Sequence, residues 1–379
     1  MKKRKRKDDE EFKIHFQSSG RLKKSFTIIF PVFNLALAGT VIYLSMLYSE
    51  VSFSDVFTVS VNWVWIVVAL VFSYLIVFVE SFRMRKIMLE TTGRKEYRLC
   101  LKIYFLERFY NMLTPFMSGG RPYVVWYLHK NKFTVAQNTS LVVSHYIVGR
   151  IAWQLITGII LVSLIHLLTQ LEGEGIVLSA IIIGIVFNIA LSAFFIFTAL
   201  NRFIPEKLGA LGVFLLFKIQ IVKDKNKAKR NTNETLWKFR IAVRRMFRNK
   251  RLVVKTILMS SFAHLLHYLM IVPIYASLWG WDWSVIPLLL LGIVLTDYIA
   301  SFIPLPGGTG GMELFFLSIF SVLMGAPQIF VALVFWRVLT HILPILNGIP
   351  VVLYDSFKRK NKLDIISNEM VDSDPTEAV

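Results

Sequence analysis

The chain has 379 residues, 55% of them hydrophobic and 14% aromatic, and yet its formal net charge is +19. A soluble globule covers itself with polar groups, so this composition excludes an ordinary soluble enzyme of two or three domains. Apolar runs separated by basic blocks instead read as an all-α, polytopic integral membrane protein. The single cysteine, Cys100, excludes an internal disulfide framework and a thiolate metal cluster, and it reads as a small apolar side chain near a membrane interface.

Residues 1–25 form a basic N-terminal segment. The apolar stretch Phe26–Tyr48 that follows is too long for the core of a secretory signal and has no small-residue cleavage site after it, so it reads as a retained anchor. A helix needs about 20 apolar residues to cross the hydrocarbon core. By that measure further spans are expected near Trp63–Phe82, Thr139–Leu168, Ile176–Leu200, Leu252–Trp279, Val285–Ile303 and Ile329–Tyr354, about seven in all, within a membrane domain of residues 26–357.

Lysines and arginines orient these spans. They concentrate in Met1–Ser25, Arg83–Arg108, His129–Lys132, Asn201–Arg251 and Lys358–Lys362. The connections Ser49–Asn62, Thr169–Gly175, Gly280–Ser284 and Gly325–Gln328 have none, and carry Glu50, Asp55, Glu172, Glu174 and Asp282 instead. The basic segments therefore share the cytoplasmic side with both termini, in the cytoplasmic membrane. Trp279, Trp281 and Trp283, with Trp63 and Trp65, read as an aromatic belt at the outer interface. The basic blocks set topology and touch anionic headgroups rather than nucleic acid. Within the connection 201–251, Lys218–Arg251 reads as a cytoplasmic helix between two halves, and the tail 358–379, acidic after Asn361, reads as disordered.

Two apolar stretches do not read as crossings. Leu101–Leu128 has basic segments at both ends, so it must enter and leave on one side, and its middle carries Pro115, Gly119, Gly120, Arg121 and Pro122, which cannot continue a helix. In Phe302–Leu323, Pro304, Pro306 and four glycines interrupt the chain before an apolar helix of about a dozen residues, short for a span. Both read as re-entrant broken hairpins, one from the cytoplasm and one from outside, with a short true span as the alternative for the second. Irregular backbone at membrane depth needs protein or a water-filled cavity around it. Broken helices entering from opposite faces, one in each half, are the pattern of inverted-repeat transporters, whose helix ends offer free amides and carbonyls to a polar group at the midplane.

Charges at membrane depth face cavities or partners. The candidates are Glu107, Arg108, Arg121, Arg150, Asp297, Glu313 and Arg337. Arg108, Glu107 and Asn111 can share one helical face, and Arg121, at the tip of the first hairpin, is placed to clamp a phosphate beside exposed amides. Asp297 and Glu313 flank the second hairpin, and either can pair with Arg337, whose face His341 shares. Arg150 lies in the third full span with Tyr146 one turn before it. His264 and His267 read as polar packing rather than metal ligands. No nucleotide-binding loop, nucleophile elbow or zinc protease signature is present, so neither catalytic residues nor a cofactor nor a metal is expected.

At the two hairpins the sequence resembles a known family. The run Phe109-Tyr-Asn111…Pro115…Gly119-Gly120-x-Pro122…Tyr127-Leu128-x-Lys130, followed by Pro304-x-Pro306-Gly307-Gly308-x-Gly310-x-x-Glu313, is similar to the motifs of the lysylphosphatidylglycerol synthase transmembrane-region family. The resemblance covers about Ser25 to Lys358 and implies a membrane domain with discontinuous helices, related to the membrane part of the multiple peptide resistance factor. That part flips lysyl-phosphatidylglycerol outward, which blunts cationic antimicrobial peptides, and a soluble aminoacyl-transferase domain follows it. This chain is expected to be the stand-alone form without that domain. Many relatives carry Glu or Gln where this chain has Arg121, and an arginine suits a phosphate better than a lysyl ammonium.

Three functions follow. The first is a flippase or scramblase for a phosphate-bearing lipid, whose headgroup would meet Arg108, Asn111, Pro115, Gly119, Gly120, Arg121, Gly307, Gly308, Gly310 and Glu313, with Arg150, Asp297 and Arg337 as coupling or buried charges. The second is a membrane component of lysyltransferase-type lipid modification, working with a separate lipid-modifying enzyme. The third is a non-transporting scaffold of envelope synthesis. The expected partners are membrane lipids, and a homo-oligomer is compatible with the sequence.

Overall fold

The computed structural model describes residues 39–47, 49–164, 225–300, 305–321 and 323–355, with a few single positions besides. The expected N-terminal segment 1–25, most of the span at Ile176–Leu200, the start of the 201–251 connection and the tail 358–379 lie outside the described residues.

Among the described residues every regular element is a helix. Residues 39–47 form α1, and Phe53–Thr58 forms α2, which is started by a capping box between Ser52 and Asp55. Helix α3 runs Trp63–Thr92, from an Asn62 cap to Gly93, whose φ of 75° lets the backbone turn left-handed and close the helix. Next come α4 (Tyr97–Met112), a short turn at Pro115–Met117, and α5 (Gly120–Lys130). Helix α6 (Val135–Ser163) opens on a Thr134–Gln137 capping box. Within the stretch Lys218–Arg251 expected to be helical, the described part forms the amphipathic helix α7 (Lys225–Arg248), which packs on α6 and α3 through Phe239, Val243 and Met246.

Helices α8 (Lys250–Leu269) and α9 (Ile271–Trp279) make one long rod bent at Met270, just ahead of Pro273, which has no amide to donate. Helix α10 (Ile286–Ala300), a turn at Pro306–Gly308 and α11 (Gly311–Phe320) follow. Helix α12 (Gln328–Arg337) continues through a π turn at Val338–Ile342 to Asp355.

Among the described residues four rods are long and apolar enough to cross a membrane: Trp63–Thr92, Val135–Ser163, Lys250–Trp279 and Gln328–Asp355. At about 1.5 Å per residue each exceeds the roughly 30 Å hydrocarbon core. The protein is a polytopic, all-α membrane protein.

The first hairpin is α4–α5, two arms packed side by side and broken at Pro115–Met117, as expected from its prolines and glycines. The second is larger than the sequence indicated. Helix α10, expected as the separate span Val285–Ile303, has only 15 residues and packs along α11, so it forms the first arm of that hairpin. At about 22 Å it is too short to cross.

The hairpins enter from opposite ends of the bundle. The first opens beside the C-terminal end of α3, since Gly93 joins α3 to α4. The second opens beside the N-terminal end of α3: there the Asn62 amide donates to the Ser277 carbonyl (2.8 Å) and Trp65 stacks on Trp281 with centroids 5.1 Å apart. Trp281 also meets Trp283, so the expected tryptophan belt is one physical cluster. The turns of the two hairpins then touch each other inside the bundle.

Candidate functional site

Where the hairpins meet, a cavity of about 290 Å³ lies between α3, α6, α8, the first hairpin and the first arm of the second. It sits at mid-depth: its walls include Gly149 and His264, the midpoints of the rods Val135–Ser163 and Lys250–Trp279. Four arginines (Arg83, Arg108, Arg121 and Arg150) and three carboxylates (Glu80, Glu107 and Asp297) line it, a surplus of one positive charge with the histidines neutral. Charged groups at such depth are retained where they face a cavity and one another.

Three of the arginines are held over aromatic faces. Arg108 lies 5.5 Å from the Tyr104 centroid, Arg121 4.2 Å from that of Tyr146, and Arg150 4.5 Å from that of Trp153. Stacking fixes a guanidinium by its flat face and leaves its edge donors pointing sideways. Arg121 is also 3.8 Å from Glu107, with its side chain 40% exposed. Helical spacing explains the grouping of Arg108, Glu107, Tyr104 and Asn111, which follow one another at three or four residues along one face of α4.

The fourth arginine was not marked out by the sequence. Glu80 and Arg83 stand at the end of a 24-residue run without charge, and Arg83 reads as the first residue of a cytoplasmic block. The helix instead continues for nine residues beyond it. Both side chains are buried, and Arg83 pairs with Glu80 through Nε and Nη2. Its Nη1 donates to the His145 carbonyl at 3.0 Å, its Nη2 lies 2.8 Å from His145 Nε2, and Ser260 Oγ donates to Glu80 at 3.3 Å. An acid and a base three residues apart neutralise each other, which lets a helix carry charge into the membrane. That spacing was the readable signal.

The hairpin tips differ from expectation in one respect. Their amides are already used. The Gly119 amide donates to Thr114 Oγ1 (2.8 Å), that of Gly120 to Asn111 Oδ1 (2.9 Å), and that of Gly310 to Glu313 Oε2 (2.7 Å). The cavity therefore offers guanidinium groups to a ligand, not free glycine amides at these tips. Pro115 begins the turn that lets the chain reverse at the first tip, and Met117 from that turn lines the cavity and faces Gly308 of the second hairpin.

The remaining predicted residues form a separate, buried lock behind the second tip. Of the two acids that could pair with Arg337, it is Glu313, at 2.7 Å, with both side chains almost wholly buried. Arg337 Nη1 also donates to the Gly307 carbonyl at 3.2 Å. Gly307 has φ 63°, and a Cβ there would lie 2.1 Å from the buried His341 ring, so this tip has room only for glycine. Asp297 faces His267 at 3.4 Å and belongs to the cavity. Arg108, Asn111, Arg121, Arg150 and Asp297 thus converge on one space, while Gly307, Glu313 and Arg337 shape the wall beside it. His264 also lines the cavity, and no group of three metal-binding side chains occurs among the described residues.

Comparison with curated proteins finds no match. A family model does match, Lysylphosphatidylglycerol synthase TM region, over residues 32–348. That match covers most of the chain, both hairpins and every residue of the cavity, so the chain belongs to this membrane-lipid family.

Proposed function

We propose that the protein moves a phosphate-bearing lipid between the leaflets of the cell membrane, with its basic segments and both termini on the cytoplasmic side. The observation that supports this most is the trio of stacked arginines around one mid-depth cavity. A phosphate is multidentate and anionic, and guanidinium edges are its best side-chain partners. A cavity of this size suits a small headgroup while acyl chains stay in lipid. The surplus of one positive charge is balanced by one phosphodiester, and an added lysyl ammonium would restore the imbalance. This favours a simple anionic phospholipid over an aminoacylated one.

Hairpins inserted from opposite ends, touching at the cavity, give a route: loosening one tip opens the cavity toward one side, loosening the other opens it toward the opposite side. Purified protein in liposomes should speed the exchange of NBD-labelled phosphatidylglycerol or phosphatidic acid between leaflets, read by dithionite quenching. Exchange no faster than in protein-free liposomes for both lipids would count against a transport role.

A further inference from the structure

We infer that His267 and Asp297 form a proton site that couples the cavity to the second hairpin, so that an anionic lipid and a proton cross together. This rests on the transport reading above and adds its energy source.

The pair spans two elements. His267 is on α8 and Asp297 on α10, the first arm of the second hairpin, with His267 Nε2 3.4 Å from Asp297 Oδ2. Both line the cavity, and their side chains are 29% and 23% exposed, so water in the cavity can exchange protons with them. On its other side the imidazole packs against the Trp336 ring, with centroids 5.3 Å apart. Trp336 directly precedes Arg337, which holds the Gly307 carbonyl and Glu313. A proton on His267 turns a neutral contact into an ion pair tying α8 to the hairpin arm, and its loss weakens that tie.

The other cavity histidines are less suited. His145 Nε2 lies 2.8 Å from Arg83 Nη2, which carries only protons, so that nitrogen must accept and the ring must be neutral. Its carboxylate neighbour Glu80, at 3.6 Å, is already taken by Arg83. Among the described residues His264 lines the cavity without joining a group of metal-binding or acidic side chains.

The field at His267 comes from several sides. Tyr268, beside it on α8, interacts with Asp297. Across the cavity stand Arg150 and Tyr146 on α6, Arg108 and Glu107 on α4, Arg121 on α5, and the Glu80–Arg83 pair on α3. The cavity's arginines exceed its carboxylates by one. A bound phosphodiester cancels the surplus and so favours protonation of His267. By linkage the proton favours the phosphate equally. One anion and one proton make an electroneutral load.

The test uses the full chain in phosphatidylcholine liposomes with trace NBD-phosphatidylglycerol or NBD-phosphatidic acid, corrected for protein-free liposomes. A lumen one pH unit more alkaline than the bath is imposed, and the final leaflet ratio is read with dithionite. Coupling to one proton should draw the probe into the inner leaflet by up to about 10-fold, since one pH unit is worth a factor of ten. A protonophore should collapse the ratio to 1, and a potassium diffusion potential should leave it unchanged. His267→Gln and Asp297→Asn should give a ratio of 1 at any speed of exchange. Wild-type movement that ends at a ratio of 1 despite the gradient overturns the inference and leaves the transport reading intact. Accumulation retained in both variants overturns the assignment to this pair. Failure of wild type to move either probe overturns both readings.

Discussion

The two hairpins share a Pro/Gly break but treat their charged residue oppositely. In the first, Arg121 stands at the tip, half-exposed, stacked on Tyr146 and turned to the cavity, while the neutral Thr114 and Asn111 cap the glycine amides. In the second, Glu313 is fully buried, caps Gly310 with one oxygen and meets Arg337 with the other. The same backbone solution thus yields a tip that presents charge and a tip that consumes it. One is suited to meet a ligand and the other to hold the wall against which the first works.

If that contrast holds, changes in the second tip should damage the fold before they damage transport. Gly307→Val is expected to have the largest effect. It combines a positive φ with a Cβ that would collide with His341, and should leave no monodisperse protein on size-exclusion chromatography in detergent. Gly308→Ala is a useful control, because its Cβ meets nothing closer than 3.4 Å and only the backbone strain, about 1 kcal/mol, remains.

Arg337→Leu comes next. It strands the Glu313 carboxylate in a buried site, which costs about 3–5 kcal/mol, and should lower the melting temperature in detergent sharply. The double variant Glu313→Leu, Arg337→Leu removes both charges and should recover part of that loss. A double variant as unstable as the sum of the singles would show that the pair is not a unit.

Changes in the first tip should do the reverse. Arg121→Ala should leave the melting temperature nearly unchanged, since its pair with Glu107 is long and partly exposed. Lipid exchange should fall by about 10- to 100-fold, the worth of one charge-assisted contact of about 1.5–3 kcal/mol. Arg121→Lys should recover little, because an ammonium cannot stack and fork as a guanidinium does. Equal loss of stability and of exchange in Arg121→Ala would erase the difference between the tips.

How much of this was legible in the sequence follows from which signals are local. The hairpin breaks were readable because prolines and paired glycines have one meaning inside an apolar run. Arg108, Arg121, Arg150 and Asp297 stood out as lone charges, and they do meet in space. Their partners could not be read, because pairing depends on how the helices are folded together. Arg337 had two acids within reach in sequence, and only the reversal of α10 against α11 places Glu313 at its side and carries Asp297 to His267. The end of α3 was set early, at Phe82, because the basic block from Arg83 reads as lying outside the membrane even though Glu80, one turn earlier, neutralises Arg83 within the same helix. The arm α10 was mistaken for a span because composition does not report helix length when the break after it is still apolar.

Asn111 offers the finest test of the contrast, since it serves the tip and the cavity at once. Its Oδ1 accepts from the buried Gly120 amide, and the residue also lines the cavity. Asn111→Ala removes the acceptor and leaves that amide without its partner, at a cost of about 1–2 kcal/mol, so stability should fall while the charge of the cavity is unchanged. Asn111→Asp keeps an acceptor for the amide but cancels the single positive surplus of the cavity. Its melting temperature should therefore stay nearer wild type, while exchange of an anionic lipid falls further than in Asn111→Ala. If the two variants instead rank the same way in stability and in exchange, the residue acts only by holding the tip, and the charge balance assigned to the cavity is wrong.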